Sequence, residues 1–97
     1  MMEPADIRVL EEMRRLIAAF QDGDLAIGRL ADHLTALRDA LAFNDREWSH
    51  ALTQHIVTLD SASTFVPAND EQARQLCEAI ATATNGLIRL IDVKIGS

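Results

Sequence analysis

Leucines recur at helical spacing between residues 25 and 43, and this stretch constrains the fold more than any other part of the chain. Intervals of four, three and four residues place the leucines on one side of an α-helix. The stripe consists of Leu30, Leu34, Leu37 and Leu41, widened by Ile27 and Ala31. Charged and polar residues occupy the opposite side. The pattern therefore predicts an amphipathic helix with one buried face.

Three further stretches have the same spacing and are separated by residues that begin or end helices. Pro4 suits a first helical turn, which does not need the missing N–H, and Gly23 suits a left-handed C-cap. Pro67 stops a third helix, and Asn69 and Gln72 have the spacing of a capping box for a fourth. We therefore expect an all-α fold. It is an antiparallel bundle of about four helices, at approximately residues 4–21, 24–43, 45–60 and 70–94.

The length and composition favour one helical domain. A chain of 97 residues is too short to divide into two units that each bury a core, so residues 1–97 form a single domain. The apolar content is mostly Leu, Ala and Ile, which suits helix packing better than strands. A terminal strand is the alternative for the last ten residues. There, apolar residues alternate with Asp92 and Lys94 after the turn-forming pair Asn85-Gly86.

The segment Phe43–Trp48, FNDREW, matches the start of a helix. With Asn44 as the N-cap, Glu47 lies at N3 and completes a reciprocal capping box. Phe43 and Trp48 then occupy the two positions of a hydrophobic staple. We interpret the segment mainly as the entry to the third helix, with Trp48 packed inward.

The histidines and the cysteine match no metal-binding or catalytic pattern. His50 and His55 are five residues apart, so on a helix they point about 140° away from each other, whereas a chelating pair needs a spacing of three or four. His55 is expected at the edge of the core. Cys77 has no basic neighbours in sequence and is interpreted as a small core residue. We expect no catalytic residue, no metal site and no cofactor, and hence no enzyme.

His33 suggests one specific alternative, a histidine-phosphotransfer domain, because it lies on the outward face of the second helix. That motif places Lys and Gly three and four residues after the histidine. Here these positions hold Ala36 and Leu37. An ordinary solvated histidine is the simpler interpretation.

The charge of the chain narrows the classes of partner. Fifteen acidic and nine basic residues give a net charge of −6, which opposes binding to the phosphates of nucleic acids. No apolar run approaches the roughly 18 residues that span a bilayer, and the first residues are acidic. A single cysteine fits a reducing compartment. We expect a cytoplasmic protein that binds neither nucleic acid nor membrane, and whose charge suits a basic protein partner.

The run from Ile17 to Leu30, IAAFQDGDLAIGRL, is followed by the leucines of the second helix and by DREW at residues 45–48. This pattern resembles the first half of small bacterial immunity proteins, among them the colicin D immunity-like helical group encoded beside toxin domains. The shared features are an apolar helix that ends in Phe or Leu, an acidic turn with Gly, a second apolar helix and a helix with an early Trp. They cover about residues 7 to 60, and the Asn85-Gly86 segment has no counterpart in the family.

The resemblance implies a protein that binds a toxin without catalysis. Such proteins hold a cognate toxin, often a basic nuclease, by covering its phosphate-binding surface with acidic groups. In this chain the acidic residues that could do so lie in the first turn, on the second helix and at the second corner. They are Asp22, Asp24, Asp32, Asp39, Asp45 and Glu47.

A second class of function stays open, that of a homodimeric helical adaptor or structural module. The first helix is apolar over more than half of its circumference, and a homodimer would bury what a 97-residue monomer leaves uncovered. The two hypotheses predict different states. A monomer with a free acidic face favours the immunity protein, and a stable dimer that buries the first helix favours the module.

Overall fold

Four α-helices fill most of the chain, of which the computed structural model describes residues 3–43 and 45–96. They are α1 (Pro4–Gln21), α2 (Ile27–Ala40), α3 (Arg46–Thr64) and α4 (Asp70–Gly96). The predicted all-α bundle is confirmed. Because α4 continues through Gly96, the alternative of a strand in the last ten residues is wrong.

Each helix packs against the next helix in the chain, and α1 also packs against α4. No Cα atoms of the diagonal pairs α1–α3 and α2–α4 come within 8 Å of each other in the described residues, so the helices surround one core as a ring. Consecutive helices run in opposite directions, which brings the α1–α2 turn and the α3–α4 connection to the same end of the bundle. A Cβ built on Gly28 would lie 3.6 Å from Ser63 Cβ, which places the start of α2 beside the end of α3.

The core draws apolar side chains from all four helices. Leu30 and Leu34 of the α2 stripe are buried, and Leu37 and Leu41 are half-buried against the same core. On α1 the large apolar side chains are all buried or half-buried, so the apolar excess expected on this helix is covered within the chain. The buried apolar residues of the described part are Leu10, Met13, Leu16, Ile17, Leu30, Ala31, Leu34, Trp48, Leu52, Ile56, Leu59, Ala83, Leu87 and Ile91.

Two helices have boundaries that differ from the predicted ones, for local reasons. Helix α2 begins three residues after Asp24, with Ala26 as its N-cap, and the first backbone hydrogen bond runs from the Leu30 N–H to the Ala26 carbonyl at 2.9 Å. Helix α3 continues to Thr64, beyond its predicted end at residue 60. In its last turns the Ser63 hydroxyl donates to the Asp60 carbonyl at 2.6 Å and the Thr64 hydroxyl donates to the Ser61 carbonyl at 3.2 Å, so these side chains bond back to the helix that they extend.

Gly23 ends α1 as predicted. Its φ of 85° is in the left-handed region, where glycine has no Cβ penalty. The Gly23 N–H donates to the Phe20 carbonyl at 3.0 Å, and the next N–H, that of Asp24, donates to Ala19. These two bonds make a Schellman motif, which uses Asp24 to close α1 and not to begin α2.

The cap of α3 is Asp45, one residue later than predicted. Its Oδ1 accepts the Trp48 backbone N–H at 3.1 Å, so Trp48 lies at N3 and Glu47 at N2. The predicted capping box with Glu47 at N3 is therefore wrong, and Asn44, its predicted N-cap, lies outside the described residues. The predicted contact between Phe43 and Trp48 is confirmed, with ring centroids 5.1 Å apart in an edge-to-face arrangement.

The predicted cap of α4 is confirmed. Asn69 Oδ1 accepts the Gln72 backbone N–H at 2.9 Å. The Gln72 side chain reaches back to the Ala68 N–H at 2.9 Å, one residue before the cap. Two backbone donors at the start of the helix are thereby satisfied.

Helix α4 is covered over only half of its length. Its 27 residues span about 40 Å, and its buried side chains all lie between Ala83 and Ile91. No residue of 70–82 is buried. Cys77, predicted to lie in the core, is exposed, because α4 is longer than its neighbours and its first half extends beyond their cover.

Asp45 also links the start of α3 to the end of α4. Its Oδ2 accepts a hydrogen bond from Lys94 Nζ at 2.6 Å, and the same ammonium lies 5.1 Å from the centroid of the Phe43 ring. The hydrogen bond from Lys94, followed by that from the Trp48 N–H, lowers the pKa of the Asp45 carboxyl from its usual value. The charged form of Asp45 is therefore the form that the fold stabilises.

Asp45→Asn is expected to make the fold less sensitive to acid than the wild type. A lowered folded pKa gives stability above the pKa of the unfolded chain, about 4, and this stability is lost as the pH falls through the folded pKa. Melting temperatures measured across the acid range should fall less steeply for Asp45→Asn, and for Lys94→Gln, than for wild type. An unchanged pH dependence in Asp45→Asn would contradict the stabilising ion pair.

Asp6 is a buried acidic residue in the first turn of α1. Its side chain is 1% exposed, and its Oδ1 accepts the Ala42 backbone N–H at 2.8 Å. Its Oδ2 is buried without a hydrogen-bond partner in the described residues. The bond from Ala42 holds the chain after α2 in a non-helical course, so α2 ends before residue 43, its predicted end.

Asp6→Ala is expected to lower the free energy of unfolding by about 1 kcal/mol, because it removes a buried hydrogen bond between α1 and the α2–α3 connection. Asp6→Asn keeps an acceptor for Ala42 and should lose less. Urea denaturation followed by circular dichroism measures both variants, with the exposed Glu11→Ala as the control. Equal losses in Asp6→Ala and Glu11→Ala would show that the bond does not stabilise the fold.

Gly86 lies inside α4, where glycine costs a helix about 1 kcal/mol relative to alanine. A Cβ at this position would come within 2.5 Å of His55 Nε2. Glycine therefore lets the imidazole ring lie on the α4 backbone. The expected place of His55 at the edge of the core is confirmed, since its side chain is half-buried.

Gly86→Ala is expected to stabilise the protein by about 1 kcal/mol only when His55 is also replaced by alanine. In the wild-type background the added methyl displaces the His55 ring, which offsets the gain in helix propensity. A double-mutant cycle of unfolding free energies measures this coupling. The same effect of Gly86→Ala in both backgrounds would argue against the contact.

Candidate functional site

The six carboxylates predicted to bind a partner lie along α2 and the connections at its two ends. Asp22 and Asp24 precede the helix, and Asp45 and Glu47 follow it. The 14 residues of α2 span about 20 Å, so these two pairs lie at opposite ends of the bundle. The predicted residues therefore form an edge of the molecule and not a single cluster.

Two of the six carboxylates are engaged within the chain. Asp39 Oδ1 lies 3.2 Å from an Arg38 guanidinium nitrogen, and Asp45 is bound to Lys94. The other four are exposed and make no ion pair within the described residues. They are Asp22, Asp24, Asp32 and Glu47.

The fold adds three carboxylates to the end that holds Asp22 and Asp24. Asp60 lies in the last turns of α3. Asp70 and Glu71 lie in the first turn of α4, where their negative charges interact favourably with the helix dipole. All five are exposed. We call this surface, consisting of Asp22, Asp24, Asp60, Asp70 and Glu71, the acidic end.

The arginine beside Asp70 and Glu71 offsets only part of the negative charge of the acidic end. Arg74 lies beside Asp70 and Glu71, yet no ion pair joins them within the described residues. By contrast, elsewhere on the surface the Arg15 guanidinium, hydrogen-bonded to Glu12, lowers the pKa of that carboxyl, with a smaller contribution from the charge of His33. The acidic end is thus the place where exposed carboxylates gather without such partners.

Two exposed apolar side chains lie in the α3–α4 connection at the acidic end. Phe65 is 48% exposed and Val66 is 84% exposed. An exposed aromatic side chain surrounded by polar groups is typical of the centre of a protein–protein interface, where it fills a pocket on the partner. Sequence reasoning did not identify these two residues. The signal for them was their position between Thr64 and Pro67, where a short connection leaves few side chains to cover them.

The remaining candidate residues stay apart from one another. His33 and His50 are exposed on different helices, and His50 lies 3.5 Å from the Gln54 amide on its own helix. Among residues 3–43 and 45–96, no group of three or more histidine, cysteine or acidic side chains is arranged to hold a metal ion. None of the described helices combines the length and apolar character needed to cross a bilayer.

Comparison of the chain with protein-family models, with curated proteins and with solved structures finds no match.

Proposed function

We propose that the chain is an immunity-type protein that binds and neutralises a basic toxin domain, of which a nuclease is the expected class, in the cytoplasm. The observation that carries the proposal is the acidic end, where Phe65 and Val66 are exposed at the same end of the bundle as five exposed carboxylates. The resemblance of residues 7 to 60 to small bacterial immunity proteins supports the same function.

The two kinds of residue at the acidic end have different tasks in this proposal. The carboxylates attract a positively charged surface, which speeds encounter and selects against acidic partners. Phe65 then enters an apolar pocket of the partner and slows dissociation. Neutralisation results because the carboxylates occupy the surface on which the toxin would bind the phosphates of its substrate. The proposed function needs no catalysis and no cofactor.

A rigid surface increases the affinity that such contacts give. The α1–α2 turn is fixed by the Schellman bonds at Gly23, and the α4 start is fixed by the Asn69 cap. These bonds hold Asp24 and Asp70 in place before the partner arrives, so less conformational entropy is lost on binding. Asp32 on the exposed side of α2 extends the acidic surface along the bundle.

Copurification tests the proposal. The tagged protein is isolated from its native cells at low salt, bound proteins are identified by mass spectrometry, and light scattering gives the stoichiometry. We expect an equimolar basic partner that is released by high salt. The variant Asp22→Lys/Asp24→Lys should lose this partner, while Glu3→Lys/Glu11→Lys, with the same change in net charge elsewhere, should keep it. Isolation of a homodimer with no partner would contradict the proposal and favour the helical module.

A further inference from the structure

A groove runs along the seam between α3 and α4, away from the acidic end. One part of it has a volume of about 580 Å³ and is open to solvent. Its lining includes His55, Gly86, Arg89, Leu90 and Val93. A second cavity of about 380 Å³ shares His55 and continues the seam as far as Ala79. We call the two together the α3–α4 groove.

The floor of the groove depends on the contact between His55 and Gly86. The ring lies so close to the α4 backbone that a Cβ on Gly86 would meet His55 Cε1 at 2.6 Å. Further along α4 the floor is made by small side chains, Ala79 and Ala83. Small residues of this kind let the backbone of a partner approach closely.

The groove carries a positive charge on a protein whose net charge is −6. Arg89 is the one permanently charged residue of its lining, and within the described residues it makes no ion pair. It stands beside Val93, which is 66% exposed. An occupant that complements these groups has a carboxylate for Arg89 and an apolar side chain for Val93.

The length of the groove favours a helix over a small molecule. The distance from Ala79 to Val93 along α4 is about 21 Å, or four helical turns. An amphipathic helix can lay a stripe of apolar side chains along a groove of this length. A second copy of the chain is disfavoured, because a symmetric pairing centred on the groove would bring two Arg89 side chains together.

We propose that the α3–α4 groove binds an amphipathic helix of a partner protein. The helix places apolar side chains over Ala83 and Leu90 and a carboxylate against Arg89. This inference goes beyond the toxin-binding function and does not depend on it, since the two surfaces have opposite charge and lie on different parts of the bundle.

Selection from a phage-displayed library of random 16-residue peptides tests the inference. The full chain is immobilised, enriched peptides are synthesised, and their binding is mapped by chemical shifts of backbone amides. We expect enriched peptides to carry an apolar stripe at helical spacing and a net negative charge, and to shift the amides of His55, Gly86 and Arg89.

Two variants decide whether the groove is the site. Arg89→Glu, an exposed charge reversal, should weaken binding of the selected peptide at least about tenfold, and Val93→Asp should do the same. Arg8→Glu, an exposed reversal on α1, is the matched control and should bind as wild type does. Basic peptides that shift amides of the acidic end report on that surface and are set aside by their shifts. Three outcomes overturn the proposal: enrichment no greater than on a blank surface, enriched peptides of which none shifts the amides of the groove, and a concentration-dependent dimer whose shifts lie in the groove.

Discussion

Trp48→Ala is expected to lower the free energy of unfolding by about 3–5 kcal/mol, because it removes a large buried side chain from the entry of α3. The indole is 6% exposed. Its ring packs edge-to-face on Phe43, and its Nε1–H donates to the Leu90 carbonyl of α4 at 2.9 Å. The truncation therefore removes packing and a hydrogen bond that ties α3 to α4. It also removes the ring over which the Lys94 ammonium lies, 5.8 Å from the indole centroid.

Trp48→Phe separates these contributions. It keeps an aromatic ring in the core but removes the indole N–H that donates to the Leu90 carbonyl. We expect the lost hydrogen bond to lower the free energy of unfolding by about 1 kcal/mol, in addition to the effect of the smaller ring. Urea unfolding of both variants, followed by circular dichroism, gives the two free energies. A loss in Trp48→Ala no larger than that in an exposed control such as Arg46→Ala would contradict the assignment of Trp48 to the core.

Asp22→Lys/Asp24→Lys is expected to weaken binding of the basic partner by about 100-fold, because two attractive charges become two repulsive ones at the acidic end. Most of this change should appear in the association rate and should shrink as salt is added. Phe65→Ala should weaken binding by a similar factor through faster dissociation, with the salt dependence preserved.

Surface plasmon resonance with the copurified partner measures both rates. Glu3→Lys/Glu11→Lys serves as the charge-matched control and should change the association rate much less. Equal effects of the two double reversals would mean that net charge alone, and not the acidic end, governs binding. An unchanged dissociation rate in Phe65→Ala would remove Phe65 as the anchor.

The helices of this fold could be predicted from local patterns, since spacing and caps act within a few residues. The exact N-cap residue of α3 could not be predicted in this way, because Asn44 and Asp45 are both good capping residues and are adjacent in the sequence. Asp45 also binds Lys94, which is 49 positions away in sequence, through its second carboxylate oxygen. Local patterns contain no information about this contact.

Burial was predictable only where a neighbouring helix is present. The spacing of Cys77 matches the inward stripe of α4, but the first half of α4 extends beyond the cover of its neighbours. Asp6 shows the opposite case, an acidic residue buried by the α2–α3 connection that its carboxylate binds. Helical periodicity gives the direction in which a side chain points. The lengths of the neighbouring helices determine whether that side chain is buried.

The candidate site was predictable in part. The sequence identified Asp22 and Asp24 as members of an acidic turn. Asp60, Asp70 and Glu71 could be added only once the antiparallel order had brought the α3–α4 connection to the same end. The apolar pair Phe65 and Val66 likewise became a candidate anchor through its exposure, which residue type alone does not give.

The most direct measurement is the enzymatic activity of the copurified basic partner, titrated with the purified chain. We predict that activity falls to the background at one equivalent of wild-type chain, and that Asp22→Lys/Asp24→Lys needs a large excess for the same inhibition. A partner that keeps its full activity while the chain is bound to it would contradict neutralisation.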